Sequence, residues 1–120
     1  MPTILVIEDI PDNAELARRV LTVHGYRVLH AADAETGLQM AIDHQPDLIL
    51  MDLGLPDADG QTLVGWMRSV PELSQTPIVV CTAWPEETAR RMVEAYGCNG
   101  YIRKPISVAT FAAEIGAYLR

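Results

Sequence analysis

Five short runs of β-branched and aliphatic residues alternate with five helical patterns, and this alternation constrains the fold more than any single motif. The runs are Thr3 to Glu8 (TILVIE), Tyr26 to Ala31 (YRVLHA), Asp47 to Asp52 (DLILMD), Pro77 to Thr82 (PIVVCT) and Gly100 to Arg103 (GYIR), all of strand length. Strict β-α alternation demands right-handed crossovers and a mostly parallel sheet covered by helices on both faces. TILVI, LILM and IVVC are almost continuously apolar, as strands buried on both faces must be, whereas Arg27 and His30 suit YRVLHA to an edge. The expected fold is a doubly wound α/β sandwich of five βα units with parallel strand order 2-1-3-4-5.

The helices between the runs carry their own start and stop signals. Asp12 and Glu15 are spaced as a capping box, Leu16, Val20 and Val23 follow at helical intervals, and Gly25 supplies a left-handed stop. A second helix should follow Asp33 with Leu38, Ala41 and Ile42 inward. A third should run from about Gln61 to Ser69 and a fourth from about Glu86 to Tyr96 before Gly97. Ser107 is a good N-cap for the fifth, in which Val108, Phe111, Ala112, Ile115 and Leu119 trace one apolar stripe.

A chain of 120 residues fits one domain, here expected over 1–120, with no linker, low-complexity tract or internal repeat beyond the β-α unit. Sixteen acidic residues oppose nine basic ones, for a net charge of −7, and Lys104 is the single lysine. That balance lacks the clustered positive face that binding a phosphate backbone requires, so nucleic acid is not an expected direct partner. Cys81 and Cys98 form neither CxxC nor a zinc spacing and suit a reducing compartment. MPTILVIED has no signal-peptide character, and no apolar stretch approaches the ~18 residues of a membrane span. A cytoplasmic location, away from membranes, is therefore expected.

In open α/β sheets ligands bind outside the carboxyl ends of the strands, at the switch point of strand order. Strand one delivers Glu8 and Asp9 there, strand three Asp52, strand four Thr82, and the segment after strand five Lys104 and Pro105. Each alone is explained as a polar residue leaving a strand or a solvated surface charge; their convergence from separate segments on one edge is what points to chemistry. Three carboxylates close together repel unless a cation neutralises them, and a shallow all-oxygen site suits Mg²⁺. Asp52, between the acidic pair and Thr82, is placed to accept a phosphoryl group as an aspartyl phosphate. The metal and Lys104 would flank that group and offset charge on its oxygens, and Thr82 would hydrogen-bond one of them.

The segments VIEDIPDN, DLILMDLGLPDADG, IVVCTAW and YIRKPIS, in this order and spacing, resemble the receiver domain of bacterial two-component response regulators, a CheY-like, flavodoxin-like fold, over essentially the whole chain. The resemblance implies a phosphorelay signalling domain rather than an enzyme, one that catalyses only its own aspartyl phosphorylation and dephosphorylation. It implies Glu8, Asp9, Asp52 and the Gly54 carbonyl as the Mg²⁺ site, Asp52 as phosphoacceptor with Thr82 and Lys104 catalytic, Thr82 and Tyr101 as the switch pair, and a cis Lys104-Pro105 peptide. A histidine kinase or histidine phosphotransfer partner would dock on the first helix around Asn13, Ala14, Ala17 and Arg18. A downstream protein target would read the fourth helix, fifth strand and fifth helix, with the regulator a monomer or weak homodimer. GCNGYIRKPIS and EDIPDN are also similar to small single-domain regulators of the DivK type, so a receiver domain without an output domain is expected.

Some positions depart from the commonest family pattern. Glu8 stands for the more frequent Asp, Ile10 for an often polar residue, and Trp84 and Gly54 border the approach of hydrolytic water, which bears on the phosphoryl lifetime. Two other readings compete. A receiver-like interaction module independent of phosphate is opposed by the intact Asp52, Thr82 and Lys104. An Mg²⁺-dependent hydrolase of the DxD type is opposed by Gly54, which stands where the second Asp would be needed.

Overall fold

The computed structural model describes residues 1–119; Arg120, the last residue of the expected domain, lies outside them. Among the described residues five parallel strands, β1 (Thr3–Ile7), β2 (Arg27–Ala31), β3 (Leu48–Asp52), β4 (Ile78–Thr82) and β5 (Gly100–Arg103), form one sheet in the order β2-β1-β3-β4-β5. The helices α1 (Pro11–Val23), α2 (Ala34–His44), α3 (Gly60–Ser69), α4 (Glu86–Tyr96) and α5 (Phe111–Tyr118) follow the strands in turn, with a short 3-10 turn at Pro71–Leu73. The sheet sends alternate side chains to opposite faces, so β1 divides its residues between two cores. Ile4 and Val6 join Val20, Leu21, Phe111 and Ile115 under α1 and α5, while Leu5 and Ile7 join Ala41, Leu63, Val64 and Met67 under α2 and α3. β2 keeps its edge place, with Arg27 and His30 exposed.

Asp33 caps α2 by accepting from Thr36 N at 2.7 Å, and Asp59 caps α3 from Thr62 N at 2.8 Å. Gly25 and Gly97 both take positive φ, 90° and 79°, where a side chain would be strained.

Two helix starts differ from expectation. Pro11, whose fixed φ suits the first helical position, begins α1 one residue before Asp12. The Asp12/Glu15 capping box therefore does not form, and Glu15 pairs instead with Arg18 and Arg19. The buried face of α1 is Ala14, Ala17, Val20 and Leu21, whereas Leu16 and Val23 are 37% and 83% exposed. In α5 Ser107 starts a single turn, its carbonyl accepting from Thr110 and Phe111, and regular helix begins only at Phe111. Val108 lies in that turn, where helical period does not carry it inward, and is 59% exposed.

Candidate functional site at the carboxyl edge of the sheet

The register sets the site. Ile7 pairs with Met51, Asp52 with Cys81 and Thr82 with Arg103, so each strand ends near the same level and its last polar residue emerges on the same edge. Carboxylate oxygens of Glu8, Asp9 and Asp52 all lie within 4.8 Å of one another. Lys104 Nζ donates to Asp52 Oδ1 at 2.8 Å and lies 3.6 Å from Glu8 Oε2. Asn13 Nδ2 donates to Glu8 Oε1 at 3.0 Å, and the His30 ring meets the Glu8 carbonyl through Nε2 at 2.8 Å. Because that acceptor is a carbonyl, Nε2 must carry the proton.

Three carboxylates face one ammonium, so the ionised cluster is net negative. Burial pushes the Glu8 carboxyl above its usual range; the Asn13 hydrogen bond and Lys104 pull the other way, and Asp52 and Asp9 add repulsion. For Lys104 burial opposes the charge, but the hydrogen bond it donates to Asp52 and the nearby negative groups outweigh it and raise the pKa. Asp9 Oδ1 is buried with no hydrogen-bond partner among the described residues. A buried charged oxygen without a partner carries a desolvation cost, and a hard cation among these oxygens would meet its need. The donor set therefore fits Mg²⁺, whose ligands are oxygens.

Gly54 sits beside the cluster: an ideal Cβ there would lie 3.6 Å from Asp52 Oδ2. Thr82 is buried and its Oγ1 accepts from Trp84 N at 3.0 Å. Tyr101 is half-buried and engaged elsewhere, its hydroxyl donating to Glu86 Oε1 at 3.1 Å, an oxygen that also accepts from Arg90. The Lys104-Pro105 peptide is cis.

The docking expectation on α1 needs correction. Ala14 and Ala17 are 6% and 2% exposed, because the helix turns that stripe to the sheet, and Arg18 is taken up by Glu15. The large apolar side chains that α1 and its N-cap offer to solvent are Ile10, Leu16 and Val23, with Val108 from the α5 turn nearby, beside the exposed Asp12, Arg18 and Arg19. Asn13 faces Glu8 rather than standing free. Sequence reasoning also missed the contacts of His30, Glu86 and Asp57, none of which follows a helical or strand spacing from its partner.

Residues 4–116 match the model of the response regulator receiver domain. The chain belongs to the response regulator receiver domain family. Receiver domains are signalling domains of two-component systems, and the family is not one of classical enzymes. This receiver domain is 33% identical over 117 residues to the polar-differentiation response regulator DivK of Brucella anthropi, covering 98% of this chain and 95% of that protein. Its structure is similar to the chemotaxis response regulator CheY4 of Vibrio cholerae, with a TM-score of 0.93 at 25% identity over 99% of each chain. It is also similar to the receiver domain of a sensor histidine kinase from Pseudomonas aeruginosa, solved with a magnesium ion coordinated in its active site cleft. There the TM-score is 0.88 at 30% identity, over 98% of this chain and 96% of that one. Among the described residues no helix is long and apolar enough to cross a membrane.

Proposed function

We propose that this receiver domain accepts a phosphoryl group on Asp52 from a phosphohistidine donor and signals through protein contacts. The observation that carries the reading is the juxtaposition of Asp52 with Lys104 at 2.8 Å and with the unpartnered Asp9 Oδ1 in one acidic cluster. Asp52 Oδ1 is held by Lys104, while Oδ2 has no hydrogen-bond partner among the described residues and is the oxygen that attacks phosphorus. The bond to the donor's imidazole nitrogen breaks as the Asp52 oxygen-phosphorus bond forms, and the imidazole leaves with the electron pair. Glu8, Asp9, Asp52 and the Gly54 carbonyl would hold Mg²⁺, which when bound would supply positive charge against the phosphoryl oxygens. Lys104 carries the protein's own positive charge to the same oxygens. The domain catalyses this step on itself alone, and hydrolysis ends the signal: a water oxygen bonds phosphorus, the Asp52 oxygen-phosphorus bond breaks, and the carboxylate and inorganic phosphate are released.

Thr82 and Tyr101 form the switch. The Thr82 hydroxyl donates to a phosphoryl oxygen, drawing the β4-α4 loop with it through Trp84 N, and Tyr101 leaves Glu86 to move inward. The α4-β5-α5 face changes as a result and is read by a downstream protein. The histidine kinase or phosphotransfer partner docks against the exposed side of α1 at Ile10 and Leu16, with Asn13 and Arg18 at the margin. This traffic takes place in the cytoplasm. Titration of labelled protein with beryllofluoride and Mg²⁺ tests the switch: amide shifts should spread from Asp52 to Thr82, Tyr101 and α4. Shifts confined to Asp52 and its neighbours would refute it.

A further inference from the structure

The loop between β3 and α3 carries Gly54 past the phosphoacceptor, yet residues 53–58 form no main-chain hydrogen bond among the described residues. Its course is set by side chains. Leu55 is buried in the core under α2 and α3, Leu53 packs over Gly60, and Asp59 caps α3. Between Leu55 and Asp59, Ala58 packs against the same core, and Asp57 provides the one side-chain hydrogen-bonded tie among the described residues. Asp57 Oδ1 accepts from Ala34 N at 2.8 Å and Oδ2 from Glu35 N at 3.0 Å. These are the first two amides of α2, a helix that already has its own cap in Asp33 on the third, Thr36 N. The hydrogen bonds from these two amides hold the Asp57 carboxyl below its usual range, so it is ionised at neutral pH and favoured by the helix dipole. Asp57 pairs two amides that Asp33 leaves without a partner, and the same two bonds give a loop without main-chain bonds a fixed position.

We propose that Asp57 is a positioning residue for the phosphoacceptor site: by strapping the β3-α3 loop to the N-terminus of α2, it fixes the Gly54 peptide beside Asp52. The proposal rests on the reading of Asp52 and Gly54 given above. Gly54 lacks a side chain to anchor itself and is exposed; Leu53 and Leu55 hold it on either side, and the Asp57 strap fixes the loop on the far side of Leu55, limiting how far the Gly54 peptide can shift. Asp57 touches no reacting atom and acts through the loop.

The test compares the parent with Asp57→Ala and Asp57→Asn in a Trp66→Phe background, so that Trp84 reports on the site. Mg²⁺ is titrated by Trp84 fluorescence, and acetyl phosphate labelling is followed by intact mass at limiting and at saturating Mg²⁺. Asp57→Ala should raise the Mg²⁺ half-saturation about fivefold, the factor that a lost capping interaction supplies when it is felt at the cation. Asp57→Asn, which keeps one accepting oxygen, should fall between. Saturating Mg²⁺ should return the labelling rate of both to near the parent's, since the reacting groups are intact. A half-saturation within about twofold of the parent in both variants, with only a lower thermal midpoint, would overturn the proposal and leave Asp57 a helix cap. Should Asp57→Ala fail to fold, Asp57→Asn alone decides on the same criterion. A parent that binds no Mg²⁺ would instead sink the phosphoacceptor reading and this inference with it, a result visible before any variant is compared.

Discussion

Lys104 and a divalent cation answer the same need, and replacing the lysine separates their contributions. Lys104→Met keeps most of the apolar stem and removes the charge that lies 2.8 Å from Asp52 and 3.6 Å from Glu8. The pair is neither exposed nor fully buried, with side chains 21% and 12% accessible. Exposed ion pairs are worth about 0–1 kcal/mol and breaking buried ones costs about 3–5 kcal/mol, so a loss of about 2 kcal/mol is expected for this geometry. At roughly 2.1 cal/mol/K per residue, a chain of this length has an unfolding entropy near ~0.25 kcal/mol/K, which converts that loss to about 8 °C in Tm. The fall should appear in EDTA. Added Mg²⁺ should recover most of it, because it then neutralises three carboxylates that no lysine shares, and the variant should bind Mg²⁺ about tenfold more tightly than the parent. Thermal melts with and without Mg²⁺, joined to a fluorescence titration, read both quantities. An unchanged midpoint in EDTA, or weaker Mg²⁺ binding by the variant, would refute the shared-charge reasoning.

Glu8→Gln should stabilise the Mg²⁺-free protein at neutral pH. Burial raises the Glu8 pKa in the folded state, so its favourable contribution is present below the unfolded value and lost as pH rises through the folded one. Denaturant midpoints in EDTA across mildly acid to neutral pH check this, and a variant less stable than the parent at neutral pH would contradict it. Cys81 is buried in the core and its thiol is pushed up to about 12, so thiol reagents should reach it only on unfolding; rapid native labelling at Cys81, seen by peptide mapping, would disagree. Gly100→Ala places a methyl group against the Tyr118 ring and should cost about 1–3 kcal/mol by forcing that ring from β5, measured by urea denaturation. A cost below about 0.5 kcal/mol would show that the ring yields freely.

The strand order and the strand-end residues were legible in the sequence because both depend on coarse regularities. Continuously apolar TILVI, LILM and IVVC can only be central parallel strands, and whatever polar residue ends each one must emerge on the same edge. Helix starts were less legible. Pro11 overrode the Asp12/Glu15 spacing through a backbone preference, and the stripe that α1 turns to the sheet is Ala14, Ala17, Val20 and Leu21, small residues that the Leu16 and Val23 spacing did not single out. The contacts that dress the site were not legible at all. His30 on the Glu8 carbonyl, Glu86 on Tyr101 and Asp57 on α2 join residues 22, 15 and 23 positions apart, distances fixed by loop paths rather than by any period.

Intact-protein mass after incubation with Mg²⁺ and acetyl phosphate, on the parent and on Asp52→Asn, tests the assignment of Asp52 most directly. The expected result is a single phosphoryl adduct on the parent that EDTA abolishes and the variant never shows. An equal adduct on Asp52→Asn, or none on the parent together with no beryllofluoride binding, would contradict Asp52 as the phosphoacceptor.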